Sequence, residues 1–178
     1  MHIRSKEMAF LGMMTACFAI FVFLGSIVES STLFFLSAAS FLTGIGVREY
    51  GIRTGGVFFL ASALVSFFVG PNKLYCMTCT LLSFYIYMRE FLFDKIEEKG
   101  NYLKKRKLFL LIKWILFNVC YIPLLLFFPF LFSFGEKGKA WPWLVFMIGQ
   151  FGFFVYDKAY DYFQSFVWER WRKHFPLK

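Results

Sequence analysis

The run Met8-AFLGMMTACFAIFVFLGSI-Val28 holds 21 consecutive residues without a charged side chain. A helix needs about 20 mostly apolar residues to cross the hydrocarbon of a bilayer. This run therefore predicts a membrane-spanning helix. It is too long for the apolar part of a cleavable signal, and no small-residue cleavage site followed by a polar domain comes after it. It reads as a retained first helix. Five more apolar runs follow, over 32–47, 54–69, 74–93, 108–134 and 142–168. Pro123 and Pro129 lie inside the fifth. The expected fold is an all-α integral membrane protein, one domain of six transmembrane helices in a compact bundle. The second and third runs are short. Local thinning of the bilayer accommodates short spans, and a re-entrant pair leaving four full spans is the alternative.

Composition points the same way. Apolar residues are 59% of the 178, and 28 are phenylalanine. A soluble domain carries roughly 45–50% apolar residues, because it must cover its surface with polar groups. Lipid removes that requirement.

Basic residues set the orientation, since cytoplasmic turns are enriched in Lys and Arg. With the N-terminus inside, 17 of the 20 basic residues fall on the cytoplasmic side. They are Arg4 and Lys6, Arg48 and Arg53, Arg89 through Lys113, and Lys158 through Lys178. Only Lys73, Lys137 and Lys139 fall outside. Both termini are expected in the cytoplasm of a bacterium, with the chain in its cytoplasmic membrane. The net charge of +9 is mostly this topology signal. A nucleic-acid footprint would cluster on one soluble face, so no nucleic acid is expected. The longest polar loop, 94–107, carries Lys104, Lys105, Arg106 and Lys107. It reads as a stop signal touching anionic head groups, or as a docking surface for a cytoplasmic protein.

Enzyme signatures are weak. No Ser/His/Asp set and no HExxH occurs, and the glycines around Gly44, Gly46, Gly51, Gly55 and Gly56 match no phosphate loop. Gly44 and Gly46 are expected to relax a helix end, and Arg48 to Arg53 to form a tight hairpin turn. Cys76 and Cys79 form a CxxC near a helix start, where a thiolate is stabilised. Packing, redox activity and an oxidised pair all remain open for them. Cys17 and Cys120 read as packing residues. Zinc needs four ligands at one place, and His2 and His174 lie elsewhere, so neither metal nor cofactor is expected. Asp157 and Asp161 share a helix face at i, i+4. They are expected at the cytoplasmic interface beside Lys158, Arg170 and Arg172, with acid–base or metal chemistry by the paired carboxylates as the alternative.

Two sets of residues are candidates for function. Polar groups at membrane depth are costly and often functional. Glu29, Asn72, Lys73, Tyr75, Asn118, Tyr121 and Gln150 are candidates for lining a pocket for a small ligand. Asn118 and Gln150 must either hydrogen-bond across helices or face a wet cavity. Trp141 and Trp143 read as an interfacial belt. Small residues Ala9, Gly12, Ala16 and Ala19 mark the first helix. Such residues let helices approach closely in lipid. They form either an internal packing groove or a docking face for another membrane subunit.

With Gly12-Met13-Met14-Thr15-Ala16 on the first helix, the chain resembles the substrate-binding S components of energy-coupling factor transporters. Those carry an AxxxA-type motif at this place, with Ala where Gly12 stands. Gly70-Pro71-Asn72-Lys73-Leu74-Tyr75 and Lys113-Trp114 to Asn118 look like stretches of small Clostridia-type membrane proteins related to that group. The topology match covers the whole chain, and the motif match only the first helix. The resemblance implies uptake of a small, water-soluble, vitamin-like nutrient entering from outside. It implies a transmembrane coupling (T) subunit docked on the first helix and two cytoplasmic ATPases. It transfers no ligand residue. A non-transport membrane scaffold of a larger envelope complex is the rival reading, and a membrane thiol enzyme using Cys76 and Cys79 is the third.

Overall fold

The computed structural model describes residues 5–97, 102–127 and 141–172. Among the described residues the architecture is helical throughout, with no strand. Helix α1 spans Ser5–Ile27, and a single 3-10 turn, Glu29–Ser31, leads into α2, Thr32–Val69. Helices α3 (Lys73–Glu97), α4 (Tyr102–Phe127) and α5 (Trp141–Tyr162) follow. A π-helical segment, Phe163–Trp168, continues α5 into the short α6, Glu169–Arg172.

Helix α2 is a hairpin. Gly51 adopts φ 80°, ψ 168°, a conformation essentially restricted to glycine. The chain reverses there. A Cβ added to Gly55 would lie 2.6 Å from the Cα of Val47, and one added to Gly46 would lie 3.0 Å from the Phe58 ring. In a straight helix residues eight apart are about 12 Å apart, so these approaches require two antiparallel arms. Each arm, 32–50 and 52–69, is about 27 Å long at 1.5 Å per residue. Both run further than the short apolar runs 32–47 and 54–69, because the polar residues of the turn continue the helix.

Alternating direction continues along the chain. The Phe10 ring lies 5.9 Å from Tyr50, which joins the start of α1 to the end of the first α2 arm. Tyr87 stacks at 5.9 Å on Phe59, and Phe93 lies 5.7 Å from Phe109. On α4 and α5, Phe117 stacks on Phe153 at 4.4 Å. Each helix thus returns alongside its predecessor. The "hairpin end" of the bundle carries the Gly51 turn, and the "far end" carries the 3-10 turn and the α2–α3 connection.

Helix termini at the far end are closed by side chains. Asn72 Oδ1 accepts the Leu74 N–H at 3.0 Å, an N-cap on α3. Lys73 Nζ donates to the carbonyls of Gly70 (3.2 Å) and Phe67 at the end of α2. A cation is favoured there because the last carbonyls of a helix are unsatisfied. The Thr32 hydroxyl donates to the Gly25 carbonyl at 2.8 Å and pins the α1–α2 turn.

Around an apolar core, several residues depart from the burial pattern of a soluble protein. Arg89, Glu90 and Lys113 are 3%, 4% and 4% exposed, while Leu33, Phe68 and Phe151 are 72%, 87% and 73% exposed. Helices α1, α2, α4 and α5 each show large apolar side chains outward, such as Ile20, Leu60, Ile115 and Phe151. Helices α1 and α2 are long and apolar enough to cross a membrane. Only 28% of the most apolar 18-residue stretch of each is buried, whereas the core helix of a soluble protein is mostly buried. These features indicate a membrane location.

Candidate functional site

The chemistry-bearing centre is a charged network between α2, α3, α4 and α5. Arg48 donates to both carboxylate oxygens of Glu90, at 2.7 and 2.9 Å. This is the bidentate fork that favours Arg over Lys. Arg89 Nη1 lies 3.0 Å from Asp157 Oδ1 without hydrogen-bond alignment, and its Nη2 donates to Asp161. Lys113 Nζ reaches Asp157 Oδ2 at 2.7 Å, and the Tyr85 hydroxyl donates to Asp157 Oδ1 at 3.0 Å. The Tyr160 hydroxyl donates to Glu90 Oε1 at 2.8 Å and accepts from Gln164 at 3.2 Å.

Three cations meet three carboxylates, so the network is neutral. Neutrality matters because an isolated charge in a low-dielectric interior is very costly. Tyr160 is the hub. The Arg89 and Arg48 guanidinium carbons lie 4.5 and 5.6 Å from its ring centroid. Its hydroxyl occupies the space a Cβ at Gly44 would need. Gly44 therefore serves a close approach of α5, and does not relax a helix end.

The network lies at one level. Arg48, Arg89 and Asp157 are each 16 residues from the far-end start of their helices, which is about 24 Å. Lys113 is 14 residues from Phe127, the far-end terminus of α4, about 21 Å. A second polar link ties the hairpin end together: Trp168 Nε1 donates to Glu49 at 3.0 Å, and the Trp168 ring lies 6.2 Å from Phe10.

Asp157 and Asp161 thus differ from the sequence expectation. Their partners are Arg89, Lys113 and Tyr85 on neighbouring helices, while Lys158 is exposed and Arg170 lies over the Phe166 ring. Arg48, Arg89 and Lys113, counted in the sequence as topology charges, are counter-ions within the bundle. No periodicity along the chain announces such pairs; the one local signal was the presence of Arg89, Glu90 and Lys113 inside or beside apolar runs.

The candidate pocket residues are distributed over several places. Asn72 and Lys73 cap helix ends, as described above. Tyr75 is half-buried against the α1–α2–α3 core. Asn118 and Gln150 come together: Trp114 Nε1 donates to Gln150 at 2.9 Å, Gln150 to Asn118 at 2.8 Å, and Asn118 to the Trp114 carbonyl at 2.8 Å. They bond across helices. Tyr121 stacks on Phe117 at 5.1 Å and lines an apolar cleft of about 70 Å³ with Tyr85 and Tyr156. Residues 98–101, and the side chains of Glu29, Trp141, Trp143 and 96–107, lie outside the described residues.

A larger cleft, about 320 Å³, opens at the hairpin end over the Arg48–Glu90 pair, beside Phe93 and Asp94. Cys76 and Cys79 are free thiols, fully buried, and their sulfurs face the carbonyls of Ser66 (3.0 Å) and Leu36 (3.8 Å). Cys17 and Cys120 are free and half-buried. No group of three or more His, Cys, Asp or Glu with metal-ligand spacing occurs among the described residues.

Helix α1 buries Phe10, Met14, Phe18, Val22 and Gly25 on one face. Ala9, Gly12, Ala16 and Ala19 lie on the opposite face. The first three are exposed and Ala19 is half-buried, and nothing lies within 4 Å of a Cβ built on Gly12. Among the described residues, Ala9, Gly12 and Ala16 are left unburied.

Comparison with known protein families, with curated proteins and with solved structures finds no match.

Proposed function

We propose that the chain is a six-span membrane subunit, the two α2 arms counting separately, with both termini in the cytoplasm. It docks on a second integral membrane protein through α1. The observation that carries this reading is the open, outward face of Ala9, Gly12, Ala16 and Ala19. A groove of small residues permits close backbone approach, the main source of helix association in lipid. The basic residues at the hairpin end support its placement on the cytoplasmic side.

In its specific form the subunit is the substrate-binding component of an energy-coupling factor type transporter, working with a coupling subunit and ATPases in a bacterial cytoplasmic membrane. It would take a small nutrient from outside. The scaffold reading has its own support: Asn72, Lys73, Asn118 and Gln150 spend their hydrogen bonds on the bundle itself.

Ala16→Leu tests the docking. It fills the groove without touching the buried face of α1. The variant is expected to keep its melting temperature in detergent and to lose a partner that co-purifies with the parent chain after mild extraction. A partner retained at full stoichiometry refutes docking through α1. Native mass spectrometry of the parent complex then separates the forms. A co-purified small molecule and a nucleotide-dependent partner mark the transporter, and a stable partner with neither marks the scaffold.

A further inference from the structure

Lys158, Tyr162, Phe166 and Arg170 line up four residues apart, and all four are exposed. The alignment needs an explanation. In an α-helix residues four apart drift around the axis by about 40° per step, so four such residues would spiral away from one another. The π-helical segment Phe163–Trp168 has wider turns and reverses that drift. The result keeps Tyr162, Phe166 and Arg170 in line, with Lys158 one α-helical step before them. Tyr162 and Phe166 stack in parallel, with centroids 5.3 Å apart and planes at 13°, and the Arg170 guanidinium lies 5.1 Å from the Phe166 centroid. Lys158 enters no ion pair among the described residues. The carboxylates closest to Lys158 in the chain, Asp157 and Asp161, are taken by Arg89 and Lys113.

We propose that this ladder holds the head group of an anionic phospholipid at the hairpin end of the bundle. The inference rests on the membrane reading above and goes beyond it. Position supports the occupant. With Trp141 at one boundary of a hydrocarbon layer about 30 Å thick, Tyr162 lies about 32 Å along the helix, at the other boundary. The head-group layer then runs beside Tyr162 and Phe166. Lys158 reaches it from within, its stem along apolar surface and its ammonium at the interface. Arg170 reaches it from the aqueous side. Two cations bracketing an aromatic stack complement a phosphate, and the π segment is what keeps Phe166 and Arg170 in line with Tyr162.

The test uses the full chain in mild detergent with an equimolar mixture of phosphatidylglycerol and phosphatidylcholine, read by native mass spectrometry. Phosphatidylglycerol is expected to be retained in preference. The combined Lys158→Gln, Arg170→Gln variant is expected to lose about 30-fold in that retention, from about 1 kcal/mol per basic residue at 1.4 kcal/mol per tenfold. Lys158→Arg with Arg170→Lys keeps the charge and is expected to keep the lipid, which separates loss of the site from loss of the fold. Equal retention of both lipids by the parent chain, unchanged retention by the Gln variant, or an acidic protein occupying this face in place of lipid overturns the proposal. A chain that stays dispersed without detergent would instead overturn the membrane reading.

Discussion

Glu90 is almost fully buried, yet both its oxygens are filled by Arg48 and one also by Tyr160. Such a carboxylate depends on its partners. Removing one member of a fully buried pair strands the other charge and costs about 3–5 kcal/mol, whereas replacing both with apolar residues of similar size is often tolerated; Arg48 is 38% exposed, so solvent lowers the cost here. Arg48→Met is therefore expected to destabilise the chain by less than that full cost, and Arg48→Met with Glu90→Leu less so than Arg48→Met alone. Denaturation in detergent measures both. A double variant that melts below the single one contradicts the ion-pair account. Part of this chemistry was legible at the residue scale: Asp157 and Asp161 stood out by spacing, and Asn118 and Gln150 by being polar within apolar runs. Their partners did not stand out, because Lys113 and Asp157 are 44 residues apart and only folding brings them within 2.7 Å.

Among the elements, α2 shows how one residue decides topology. The six residues from Arg48 to Arg53 reverse the chain only because Gly51 accepts a positive φ that a side chain resists. Gly51→Ala meets no neighbour within 4 Å, so its effect isolates backbone strain, about 1–3 kcal/mol. The expected outcome is a lower unfolding midpoint with the helical content unchanged; a midpoint equal to the parent's would show that the turn relaxes without strain. The hairpin was legible as glycines and charges between two apolar runs. The extension of both arms through the polar turn was not, because hydropathy marks apolar residues and not helix ends. Likewise the small residues of α1 were legible as a stripe, but their facing outward follows from where Phe10, Met14, Phe18 and Val22 pack.

At the scale of the whole molecule, Arg89, Glu90 and Lys113 lie inside while Leu33, Phe68 and Phe151 lie outside. Burying the outward face requires a lipid or detergent coat, since exposed apolar area costs roughly 25 cal/mol per Å² in water. The chain is expected to remain in the membrane pellet after alkaline carbonate washing and to precipitate on removal of detergent. Release into the carbonate supernatant would place it at the surface of a bilayer.

Helical class and the apolar runs were readable directly from the order of residues, because hydropathy sums locally along the chain. The asymmetry of basic residues, which carries the proposed orientation, is local in the same way. The assignment of Arg48, Arg89 and Lys113 to Glu90, Asp157 and Asp161, the open face of α1, and the alignment of Lys158 with Arg170 arise only in three dimensions. Ion pairing and groove exposure depend on which helices become neighbours and at what rotation. That is settled by packing between segments far apart in the chain, such as Tyr160 fitting against Gly44.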